Sequence, residues 1–345
     1  MAGGRAKGKG KGEGDAMVSG GGPGALAHLV ETKDGEWEEL LPNLFLMAPE
    51  QELKLKLKDQ MSESVRIRRE IEPKVEEKED LRSVANAFVH QREEIVKLLN
   101  ALIDEGAEWR FSSTDLAVAK MKQMDDLTAS IDVSASQYVS AAVEMMATDA
   151  KSFATFSWVD VSQKLETKLI AFDVANVLLC VSLSYMVLAS KVSTGRVGAS
   201  QSKKGGCHIP FARYAYDLLR KSSGMLSYLA SLHSKMGIDA LLDVKWRDCT
   251  EIGILCLEGI STADAQSIAI TNAVRKGSSA GLIASLAFSS SDLLTKEQNS
   301  AKGNSLKKWK LYSQYKSDML RALGYCYQGM SLLQDEEGGK ARRCT

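Results

Sequence analysis

The sequence predicts a mainly α protein, and three observations carry that expectation. Only five prolines occur in 345 residues, Ala, Leu, Met, Lys and Glu are plentiful, and beyond Pro73 the apolar residues recur three and four apart. The hydrophobic fraction, 44%, is spread along most of the chain. It suffices for a sizeable core in one large domain or two small ones.

Residues 1–24 are glycine-rich with Lys7, Lys9 and Lys11 interspersed. Burial there cannot offset the ordering entropy, so a disordered tail is expected. Gly8, Gly10, Gly12 and Gly14 alternate as in a phosphate loop, but they follow no strand and open no apolar helix. From Leu53 to Lys58, leucine and lysine alternate with period two, the pattern of a half-buried strand, although the flanks read as helical.

After Pro73, Leu81, Val84, Phe88, Ile95, Leu99 and Leu102 form one helical stripe, closed by Gly106. Ser113, Thr114 and Asp115 offer cap chemistry for a second helix through Leu116, Met124, Leu127 and Ile131, continuing past Tyr138 to Met145. An aromatic passage precedes a helix expected from about Val161 to Lys191. Its most apolar run, Val174 to Ala189, is shorter than the roughly 18 residues of a membrane span and is interrupted by Asn176, Ser182 and Ser184. A buried core helix is expected, and no transmembrane segment.

Gly195 to Gly206 reads as a flexible, exposed loop. Four more helices are expected over Pro210–Met236, Cys249–Lys276, Ser278–Glu297 and Leu306–Gln334. Long helices on short turns suggest a bundle or a solenoid of helical hairpins, and the lack of a fixed repeat favours an irregular solenoid. Strands are expected only before Pro73.

Function classes can be narrowed from the same residues. Lys+Arg and Asp+Glu both number 44, so no whole-molecule field draws the chain to nucleic acid. Six cysteines without zinc-ribbon spacing suit a reducing cytosolic setting. The Gly/Lys opening resembles no signal peptide, and Ala2 stands where myristoylation needs glycine. Gly277-Ser278-Ser279-Ala280-Gly281 has the form of a hydrolase elbow, but His28, His90, His208 and His233 all precede Ser279, whereas that fold places its histidine after the serine. A turn between helices is the plainer reading. Asp125-Asp126 and Glu336-Glu337 read as solvated surface, and Cys249 with Cys256 as small buried residues rather than a metal site. No catalytic residue, cofactor or metal is expected.

Phe153, Phe156, Trp158 and Asp160, followed by Ala171-Phe172-Asp173 and Val177-Leu178-Leu179, resemble a pattern of the BRO-domain (Bro-one, Alix-like) family. Four further blocks resemble it in order: Ala212 to Leu229; Ala265-Gln266 through Leu286, with Gly281-Leu282-Ile283-Ala284; Tyr315-Lys316; and Met319 to Tyr327. Together they span roughly residues 130–343, with a weaker match over 37–130. The domain is therefore placed at 37–343. Trp158 is expected to wedge one helical hairpin against the next and to want a partner for its ring nitrogen.

The resemblance implies a curved helical solenoid with tetratricopeptide-like hairpins and a small strand pair near the N-terminus. It implies a non-catalytic scaffold, cytoplasmic and peripheral to endosomes, touching their membrane. Its partner would be the amphipathic C-terminal helix of a filament subunit of the ESCRT-III scission machinery, docked in a groove. Leu282 and Leu286 fall on two of the family's anchor positions, one helical turn apart. At the third, Ala269 stands where the family offers a bulky aromatic, a loss of contact worth a few kcal/mol (~2). Core positions are the plain alternative for the leucines, and a helical adaptor without an ESCRT role is the rival function. Relative to the family the chain reads as C-terminally short, so the stripe Leu320, Leu323, Met330 and Leu333 is expected to be partly uncovered. Cys344 precedes one residue rather than three, so no prenyl anchor is assigned.

Overall fold

The computed structural model describes residues 79–106, 109–147, 156–160, 163–167, 169–193, 195–197, 209–236, 250–300 and 307–343. The expected tail at 1–24 and the Leu/Lys strand at 53–58 lie outside these residues. So do the side chains of Phe156, Trp158 and Asp160 and the whole of Phe153.

Helix α1 (Glu79–Glu105) buries Ala85, Phe88, Ile95, Leu99 and Leu102, the stripe its spacing announces. It stops at Gly106, whose amide donates to the Leu102 carbonyl at 2.9 Å. A Cβ there would sit 2.7 Å from that same oxygen, so only glycine closes this end without a shift. After the short strand β1 (Arg110–Phe111) comes α2 (Thr114–Ala147), capped by the Ser113 hydroxyl accepting from Leu116 N–H at 3.3 Å. Strands β2 (Phe156–Asp160) and β3 (Gln163–Thr167) form an antiparallel hairpin. Then follow α3 (Ile170–Ser193), β4 (Arg196–Val197), α4 (Ile209–Met236), α5 (Glu251–Arg275), α6 (Ala280–Ser300) and α7 (Lys307–Arg343).

The helical architecture is as the sequence predicts, with two corrections. The helix expected from Val161 begins at Ile170, because residues 156–167 pair as a hairpin across a two-residue connection. Five-residue segments hold too few turns for helical and strand periods to be told apart. The loop expected from Gly195 is anchored at its start: Gly195 is buried, and Arg196–Val197 pairs in parallel with Arg110–Phe111. Trp109, Phe111, Phe211 and Tyr214 cluster beside that pair, with ring centroids 5.7–6.2 Å from Trp109. Strands thus occur after Pro73 as well.

Helix α3 is apolar enough to cross a membrane by length and composition, yet its apolar window is wholly buried within the fold. It packs on α1 and α2 and most extensively on α4. From α4 onward each helix packs chiefly on its chain neighbour, which makes the molecule a helical solenoid. Polar contacts between helices, two sets buried and one at the surface, pin the layers in register. Arg92, Tyr138 and Asp173 join α1, α2 and α3. Tyr185 donates to Asp132 at 2.7 Å, and Lys221 of α4 reaches the same carboxylate at 3.0 Å. On α7, Tyr312 donates to Asp264 of α5 at 2.9 Å, and Lys316 forms a buried ion pair with it.

Candidate docking surface

The α5–α6 turn sets the geometry of the site. Gly277 takes φ +65°, a left-handed conformation that suits glycine, and its amide donates to the Val274 carbonyl at 3.0 Å. Ser278 N–H closes on Ala273 O at 3.0 Å, so the chain reverses within four residues and α6 runs antiparallel against α5. Ser279, the central serine of the elbow-like motif, accepts from Leu282 N–H at 3.4 Å. Its role is to cap α6.

One hydrogen bond registers the hairpin. The Ser290 hydroxyl lies 2.6 Å from Gln266 Oε1, linking α6 to α5. Leu286 is one helical turn before Ser290, and Ala269 is one turn after Gln266. In an antiparallel pair both steps lead toward the connecting turn, so Leu286 and Ala269 stand level across the seam. Leu282 lies one turn further along the same line of α6.

Burial separates the three residues. The core face of α6 is Ile283, Ala287 and Leu294, none more than 2% exposed, whereas Leu282 is 50% exposed. Leu286 is half-buried and packs against the core, and Ala269 is half-buried beside it. Leu282 is therefore surface, Leu286 is shared between surface and core, and Ala269 is a small half-buried residue of α5. The geometry brings together the residues that the sequence singled out. It offers an apolar contact line, with no acid, base or nucleophile among them.

A second feature was missed. Between α6 and α7 lies an open groove of about 710 Å³. On the α6 side it is lined by Gly281, Ala284, Ser285, Phe288 and Ser289, and on the α7 side by Leu332 among others. At 100° per residue, its axis on α6 lies about 110° around from Leu282 and Leu286. Small residues at 281, 284, 285 and 289 were its trace in the sequence, but a groove needs a second wall, and α7 follows some 40 residues later.

The chain matches the BRO1-like domain family over residues 122–344, well over half its length. It belongs to the BRO1-like domain family. A relative in Danio rerio, "BRO1 domain-containing protein BROX", is 35% identical over 86 residues, which is 24% of this chain and 21% of the relative. The matched stretch thus spans about a fifth of that protein. A solved structure described as "ALIX BRO1 CHMP4C complex" has a TM-score of 0.48 and 17% identity, over 72% of this chain and 65% of that one.

Within this BRO1-like domain, the blocks that carried the resemblance have structural work. Phe172 and Asp173 are both fully buried at the start of α3, and Asp173 receives Arg92 and Tyr138. Lys316, in the late block, is 2% exposed and paired with Asp264. The expected uncovered stripe divides: Leu320 is buried, Leu323 and Met330 are half-buried, and Leu333 is 56% exposed.

Proposed function

We propose that this BRO1-like domain is a non-catalytic docking scaffold whose α5–α6 seam receives an amphipathic helix. The helix is the C-terminal one of an ESCRT-III filament subunit, and the setting is endosomal sorting or membrane remodelling by a cytoplasmic protein peripheral to the endosome. The folded unit is taken as residues 37–343, with residues 1–24 as a tail. Family membership supports the class of function. The observation that carries the site is Leu282: a large apolar residue, half exposed, in line with Leu286, which stands level with the small Ala269.

Mechanically this is helix-in-groove recognition, with anchors of the incoming helix spaced i, i+3, i+4 and i+7 along the seam. Ala269 offers little apolar contact, so affinity is set mainly by the two leucines. A labelled amphipathic helix from an ESCRT-III subunit, titrated against the full chain, tests this. Leu282→Asp and the double variant Leu282→Asp/Leu286→Asp should lose binding, and Ala269→Phe should tighten it by restoring apolar contact. Leu282→Asp is the decisive variant because an exposed position tolerates it. Unchanged affinity in all variants, each still folded, would place docking elsewhere and favour an adaptor without an ESCRT role.

A further inference from the structure

The outer face of α7 carries a second pattern that the docking proposal does not use. Leu311, Tyr315, Asp318, Ala322, Tyr325, Gly329 and Leu332 follow one another at intervals of four, three, four, three, four and three residues. This is a heptad seam, the spacing that keeps one face of a helix toward a partner helix. All seven are exposed, the four bulky ones by 50–62%. The buried face of α7, with Trp309, Tyr312, Lys316 and Leu320, lies on the opposite side. The seam runs about 32 Å at 1.5 Å per residue.

From this the geometry points to a second copy of the same chain as the occupant, paired antiparallel along α7 about a two-fold axis between residues 323 and 324. The argument is self-complementarity over Tyr315 to Leu332, Leu311 falling level with Glu336 of the other copy beyond the paired stretch. In that register Tyr325 of one copy packs over Ala322 of the other, large against small. Tyr315 meets Leu332, apolar against apolar. Asp318 faces Gly329, where a Cβ would meet nothing within 4 Å, so its carboxylate keeps room for water. The alternative antiparallel register, one heptad along, sets the two Asp318 carboxylates about one turn apart, and like charges so placed repel. A parallel pair stacks Tyr325 on Tyr325 and Asp318 on Asp318, losing both the large-to-small fit and the charge separation. The seam therefore specifies orientation and register as well as a partner.

Sedimentation velocity of the full chain over a hundredfold concentration range tests this. Reversible dimerisation is expected, and Ala322→Glu should shift the midpoint at least tenfold toward monomer with the helical dichroism unchanged. Orientation is read by crosslinking. In the antiparallel register position 319 of one copy faces Cys326 of the other, so Met319→Cys should give a 319–326 disulfide between copies on mild oxidation, mapped by peptide mass spectrometry. A chain that stays monomeric throughout overturns the proposal. So does a dimer indifferent to Ala322→Glu, one that gives no 319–326 bridge, as a parallel pair would, or a predominant Cys326–Cys326 bridge, which marks an antiparallel register shifted by one heptad.

Discussion

Arg92 and Asp173, 81 residues apart in sequence, meet inside the fold as a two-pronged ion pair: Nε lies 2.8 Å from Oδ2 and Nη2 lies 2.9 Å from Oδ1. Tyr138 donates to the same carboxylate. Burial works against the Arg92 charge, but Asp173 outweighs it and the guanidinium pKa is raised. Asp173→Asn keeps the shape and removes the countercharge, leaving a buried cation. It should cost about 3–5 kcal/mol in urea unfolding. The triple variant Arg92→Met/Tyr138→Phe/Asp173→Leu removes every polar member together and should cost less than the single change. A larger loss in the triple variant would mean that the cluster stabilises by more than avoiding an orphaned charge.

Leu282 and Leu286 should differ in stability as they differ in exposure. Leu282→Asp is expected within about 0.5 kcal/mol of the parent. Leu286→Asp removes half-buried contact and brings a charge toward the core, so about 1–3 kcal/mol is expected. Chemical denaturation of each single variant measures this. Equal, large losses would make Leu282 a core residue and remove the basis of the docking seam.

Two glycines of α7 should respond with opposite sign. A Cβ on Gly324 would lie 2.8 Å from the Phe288 ring, so Gly324→Ala must push α6 and α7 apart or turn the ring, at about 1–3 kcal/mol. Gly329 is open, and Gly329→Ala should stabilise by about 0.5–1 kcal/mol through helix propensity alone. Melting at low concentration, where self-association does not contribute, compares the pair.

Alkali should unfold the protein through its buried phenols. Burial first, and the Asp173 carboxylate second, hold Tyr138 well above the ordinary phenol range; burial and Asp264 do the same for Tyr312. Tyr185, beside Asp132, and Tyr214, beside Asp125, are raised in the same way. The unfolded chain ionises these groups at about pH 10, the ordinary phenol range, while the folded chain keeps their protons. Their contribution is thus complete below about pH 10 and is lost as pH rises toward the folded values. Phenolate absorbance from these four should appear in a step coincident with loss of helical dichroism. Ionisation of all four with the helices intact would refute it.

The sequence by itself determined the helices, because helical period is a local property that each segment states for itself. Phe88, Ile95, Leu99 and Leu102 mark the inner face of α1, Ser113 marks the start of α2, and the apolar run of α3 marks a helix buried all round. It also singled out Ala269, Leu282 and Leu286 as candidates, through a resemblance in ordered blocks. Only the tertiary structure decided their exposure, because Leu282 and Ile283 are equally apolar neighbours and just one of them turns to the core. The β2–β3 hairpin, the β1–β4 pair and the Arg92–Asp173 pair were equally out of reach. Each depends on partners that the backbone brings together from a distance or across a turn, and a pattern read along one segment carries no record of what will stand opposite it.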